Sequence, residues 1–149
     1  MSAVIASARR LAVGHAKNDN LLAAASATGT ASEFDPAIKQ IEQDAVTAAE
    51  AGDLDRALEL LSEGITAHPT RGSLYNNRAQ VHRMKTDNAA ARADLNKAIE
   101  VETSWIEAHL DETGSAAFGA HKHVLQQAFT QRSILNQYVD HTRPPTAQQ

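Results

Sequence analysis

Shifted by 34 positions, this 149-residue chain falls on itself. The shift lays Ile41 on Tyr75, Ala45 on Ala79, Asp53 on Asp87, Ala57 on Ala91, Leu61 on Leu95 and Ile65 on Ile99. Within the first copy, Ile38, Ile41, Ala45 and Ala48 recur at the spacing of one helix face, and Leu54, Ala57, Leu58, Leu61 and Ile65 form a second such stripe. Asp35 before Pro36 predicts a helix start, because a carboxylate caps free amides and proline at the first helical position needs no donor. Gly52 suits the end of that helix and His68-Pro69 the end of the next. Each copy is therefore a helical hairpin. A lone hairpin cannot bury its apolar faces, so recurrence predicts stacking. Aromatic residues make up only 4% of the chain while alanine recurs throughout, which favours closely packed helices over pleated sheets and makes the expected class all-α.

A helix-turn-helix unit of 34 residues has the period of the tetratricopeptide (TPR) repeat, and the matching residues sit at that repeat's helix contacts. The first copy has small residues at Ala45, Ala57 and Gly64, a large one at Leu61 and a closing proline at Pro69. The second has Tyr75, Ala79, Ala91, Leu95 and Ala98, with Thr103 in place of the proline. Small side chains belong there because helix axes approach to about 8–10 Å only where the contact residues permit it. The stretches AAEAGDLDRALELLSEGI and LYNNRAQVHRMKTDNAAARADLNKAIEVE resemble the tetratricopeptide repeat protein 36 family. That resemblance implies three repeats after a polar N-terminal arm, in a right-handed α-solenoid.

The third repeat departs from the pattern. FTQRSIL at 129–135 reads like YNNRAQV at 75–81, placing Arg132 on Arg78, yet it lies 54 positions downstream. A second register, with SWIEAHLDETGSAAF at 104–118 as the third-repeat helix, is open; the Phe129 register is preferred. Pro144-Pro145 and the lack of an apolar stripe rule out a full partner helix afterwards. The expected organisation is a flexible arm over 1–35, a TPR domain over 36–139 and a disordered tail over 140–149. Within the domain, repeat one spans 38–71, repeat two 72–105, and an insert with a shortened third repeat, helical near 125–139, spans 106–139.

Composition narrows the function. A net charge of −4 argues against a phosphate-backbone binder, so nucleic acid is not an expected partner. The absence of cysteine removes disulfides, thiolate metal sites and cysteine nucleophiles. No apolar stretch approaches the roughly 20 residues needed to span a bilayer, so no membrane partner is expected. A cytoplasmic location is the expectation, with a nuclear one as an alternative. Arg9, Arg10 and Lys17, with no acidic residue before Asp19, give a mitochondrial transit peptide some support as another.

Catalytic and metal motifs occur only in fragments. His121 and His123 are two apart, which on a helix turns them about 200° from each other, so the reading is two solvent-facing polar residues. Gly114 and Gly119 have phosphate-loop spacing, but Ala120 and His121 stand where lysine and a hydroxyl residue belong. Ser115 lacks the glycine spacing of a nucleophile elbow. No catalytic, metal or cofactor residue is assigned, and a non-enzyme is expected.

Stacked hairpins usually bind an extended peptide or a partner helix along the surface lined by their first helices. Carrying over the repeat register, that groove comprises Lys39, Glu42, Val46 and Ala49 from copy one, and Ser73, Asn76, Asn77, Gln80 and Met84 from copy two. The expected function is a non-catalytic adaptor or scaffold for a protein partner. The alternatives are an Hsp70-associated co-chaperone without a full carboxylate clamp, and a truncated product without independent function. The clamp that some TPR proteins use for acidic chaperone tails maps here to Glu42, Val46, Asn77 and either Gln127 with Gln131 or Glu107 with Asp111. Only Asn77 fits, and Glu42 would repel a carboxylate by about 1 kcal/mol. Self-association is a further expectation, because about three repeats are generally needed for stability. Arg78 is expected to pair with Asp44, and Trp105 to cover the end of the stack.

Overall fold

A computed structural model describes residues 35–142. The expected arm, apart from Asp35, and the tail beyond residue 142 lie outside this range. Among the described residues there are five α-helices and one short 3-10 turn: α1 (Pro36–Glu50), α2 (Leu54–Ala67), α3 (Gly72–Met84), α4 (Asn88–Ala108), the turn Leu110–Glu112, and α5 (Ala116–Thr142). The fold is all-α, with α1–α2 and α3–α4 as two TPR hairpins.

Caps define these boundaries. Asp35 accepts from the Ala37 amide at 3.0 Å. Asp53 and Asp87, equivalent positions of the two hairpins, accept from the Arg56 and Ala90 amides at 3.0 and 3.1 Å. Each cap satisfies an amide that the helix itself cannot, and its loss typically costs about 1 kcal/mol. The turns before them also coincide. Asp53 and Asp87 amides reach back to Ala48 and His82 carbonyls, both at 2.9 Å, closing a Schellman turn around Gly52 and Thr86.

The second helices differ in length, 14 residues against 21. Pro69 follows α2, whereas Thr103 at the equivalent position keeps its amide and α4 runs on to Ala108. Residues 104–108 thus belong to α4, so the register that made 104–118 a third-repeat helix is not adopted. After the 3-10 turn, Ser115 accepts from the Phe118 amide at 3.0 Å, capping α5. This helix starts well before the expected 125, because nothing from Ala116 onward interrupts it, and it continues through Thr142 into the segment expected to be disordered.

Two apolar clusters share α3. Ile38, Ala45, Ala49, Ala57 and Leu61 pack with Leu74 and Val81. Tyr75 and Ala79 pack with Ala91, Leu95 and Ala98 of α4 and Ala128 and Leu135 of α5. Ile65 touches both clusters, joining the hairpins. Because α3 has neighbours on opposite sides, every residue from Gly72 to Asn77 is buried. On α5 the buried residues Val124, Ala128, Gln131 and Leu135 form one stripe; Phe129, superposed on buried Tyr75 by sequence, lies outside it at 45% exposure.

Candidate functional site

The first helices of the hairpins, α1 and α3, carry the nine residues assigned to the groove. Burial divides them. Glu42, Ala49, Ser73, Asn76 and Asn77 are buried, while Lys39, Val46, Gln80 and Met84 remain partly open. Val46 and Gln80 occupy equivalent positions of the two copies, so the open residues continue from one hairpin to the next. Part of the closure comes from α5, since the Asn76 Nδ2 donates to the Val124 carbonyl at 3.0 Å. The Ser73 hydroxyl, Asn76 Oδ1 and Asn77 Nδ2 are buried with no hydrogen-bond partner among the described residues. A buried polar atom left without any partner typically costs about 1–3 kcal/mol, which makes these three atoms the polar positions of this face where a ligand or ordered water would be accommodated.

Near the groove, Arg83 donates to Gln80 Oε1 at 3.2 Å, and its burial lowers the guanidinium pKa from the ordinary value. Arg78 does not meet Asp44, which instead accepts from Gln40 at 2.8 Å. Arg78 donates to both oxygens of buried Asp94, at 2.7 and 2.8 Å, and to the Ser62 hydroxyl at 3.1 Å. The expected pairing relied on contact between matching positions of stacked first helices. The real partner lies across the hairpin on α4, where a planar fork meets a carboxylate in register. The bond to Asp94 raises the Arg78 pKa further above its ordinary value.

A second polar centre forms where α4 overruns its repeat. Helix α3 begins after Arg71, whose side chain does not cap it. Glu102 supplies the cap instead: its Oε1 accepts from the Gly72 amide at 2.9 Å, and its Oε2 meets His121 Nδ1 at 2.6 Å. Both side chains are buried. Trp105, one helical turn along from Glu102, is stacked between two imidazoles, with ring centroids 4.0 Å from His109 and 3.7 Å from His121. Phe118 tilts against the same indole at 6.3 Å. Trp105 thus packs between α4 and the start of α5.

His121 is thus buried rather than solvent-facing, whereas His123 is exposed. The 200° separation of these two residues is what sends one inward and the other out. Glu102 carried no signal in the sequence beyond its position beside Thr103, and its partners come from two other elements. Glu107 and Asp111, one alternative for the clamp's last pair, are exposed on the end of α4 and the 3-10 turn; of the other alternative, Gln131 is buried. Among the described residues no three His, Asp or Glu side chains converge on a metal-sized site, and no helix is long and apolar enough to cross a membrane.

Two capped hairpins repeating at 34 residues, with a further helix packed on the second, define a tetratricopeptide-repeat region. Its resemblance to the tetratricopeptide repeat protein 36 family holds on comparison with known proteins. The chain is 38% identical over 97 residues to tetratricopeptide repeat protein 36 of Homo sapiens, covering 65% of this chain and 43% of the relative. It is 49% identical over 63 residues to the Nematostella vectensis homolog, covering 42% and 35%, and 51% identical over 61 residues to the Bos taurus protein, covering 41% and 32%. The chain therefore spans less than half the length of these relatives. No family model matches it, and no solved structure does.

Proposed function

We propose that this chain is a non-catalytic adaptor that binds a peptide or helix of a protein partner along the strip formed by Lys39, Val46, Gln80 and Met84. The observation carrying this reading is the equivalence of Val46 and Gln80, both partly open on successive first helices. A surface that repeats with the hairpins suits a ligand that extends along them. Buried Asn76 and Asn77 lie on the same helix as Gln80 and Met84, each with one polar side-chain atom without a partner among the described residues. The resemblance to TPR proteins supports a protein-interaction role in general. Association with a chaperone remains a narrower form of the proposal, and buried Glu42 disfavours binding a terminal carboxylate at that position.

Site-specific photocrosslinking tests this reading. A photoreactive residue at Gln80 should trap a partner that one at exposed Glu63 on α2 does not, and Val46→Glu should abolish the Gln80 product. Equal trapping at both positions would refute the groove. Competition by an acidic C-terminal peptide would reinstate the clamp.

A further inference from the structure

Beside the Glu102 centre lies a cavity of about 320 Å³ lined by Thr70, Arg71, Trp105, Ala117 and His121. It is built from the loop between hairpins, the overrun of α4 and the first two turns of α5, and none of these lining residues is among the nine assigned to the groove. A volume of this order is at the lower end of small-molecule sites. Its wall chemistry is specific. Arg71 is without a carboxylate partner among the described residues, while each Glu102 oxygen is already engaged, one by the Gly72 amide and one by His121. Donating Nδ1–H to Glu102 leaves His121 Nε2 as an acceptor, so the imidazole serves as a fixed wall and not as an anion donor. Trp105 has an imidazole on each face and so offers an edge, which disfavours a ligand that binds by aromatic stacking. A guanidinium and the Thr70 hydroxyl suit an oxyanion, and Ala117 with the indole edge suits a short aliphatic stem.

We infer that this cavity binds a small anionic ligand, an acid group on a short chain, with Arg71 and the Thr70 hydroxyl holding the oxyanion and the His121 ring forming the wall beside it. Glu102 acts through His121 as a positioning residue, fixing the ring in the way a carboxylate fixes a metal-bound or catalytic imidazole. The acid group is a phosphate monoester or a carboxylate, and the test separates the two.

The full chain is titrated with O-phosphoserine and, separately, with glutarate at constant ionic strength set by sodium chloride. Fluorescence of Trp105, the single tryptophan, is followed and calorimetry is run on the same samples. A saturable response to phosphoserine alone assigns a phosphate, and one to glutarate alone a carboxylate. Arg71→Gln should weaken binding about tenfold or more, the loss expected for a charged hydrogen bond, with an unchanged melting curve. His121→Asn retains a donor toward Glu102 but opens that wall of the cavity, and should weaken binding less than Arg71→Gln. Absence of saturation with both acids, or binding unaffected by Arg71→Gln, would overturn the inference; the Arg71 variant decides it even if the His121 variant is unstable.

Discussion

Gly52 and Thr86 occupy the same turn of successive hairpins, and both hold the left-handed backbone, with φ of 84° and 61°. The hydrogen bonds around them match position for position. Glycine takes this conformation freely, while a β-branched residue does so at a cost of about 1–2 kcal/mol. Thr86→Gly should therefore stabilise the chain by about 1 kcal/mol after the added freedom of the unfolded state is subtracted. A thermal melt followed by circular dichroism should move upward by roughly 4–8 °C. An unchanged or lower midpoint would show that the threonine is not strained.

The Glu102 side chain leaves no room for a Cβ at Gly72 unless that side chain shifts. A Cβ at Gly72 would collide with the Glu102 carboxylate, lying 2.5 Å from its Cγ and 2.8 Å from its Cδ. Gly72→Ala should destabilise the chain by about 2 kcal/mol through displacement of a buried, hydrogen-bonded carboxylate. In a Glu102→Ala background the same change should be close to neutral. A double-mutant cycle in urea that gave additive effects would contradict the proposed collision.

Arg78 and Lys85 both form ion pairs, but in different surroundings. Asp94 is only 8% exposed at the side chain, against 85% for Asp55, the partner of Lys85. Removing Arg78 strands a buried carboxylate beside His82, which lies 3.6 Å from it. We expect Arg78→Ala to cost about 3 kcal/mol and Lys85→Ala less than about 1 kcal/mol. Equal losses for the two variants in denaturant unfolding would show that burial does not set the difference.

The stripe on α5 predicts which side chains dock it. Leu135 is 2% exposed within the second cluster, so Leu135→Ala should cost about 3 kcal/mol. Phe129→Ala should cost less than about 1 kcal/mol, since its ring contacts the Arg132 guanidinium, 5.2 Å from the centroid, outside the core stripe. The reverse ranking would restore the superposition of Phe129 on Tyr75.

Both hairpins were legible because their information is local and repeated. Asp35, Asp53 and Asp87 cap the helices they precede, and Gly52 ends the one it follows. Thr103 in place of a proline was legible too, but not its effect: one retained amide lets α4 continue and carries Trp105 and His109 to the end of the stack. The nine groove positions follow from repeat register, which sets the face they occupy and not whether another helix closes over it. Asn76 illustrates this, its amide meeting a carbonyl 48 positions downstream.

The sequence alone determined the two hairpins, the Asp35 cap and the 34-residue pairing, because capping and apolar periodicity act between residues a few positions apart. Only the tertiary structure decided that Arg78 takes Asp94, that Glu102 caps α3, and that His121 turns inward against Trp105. Those partners are 16 to 30 positions apart in the chain. What joins them is the angle and register at which whole helices pack, a property of summed side-chain contacts that no single motif encodes.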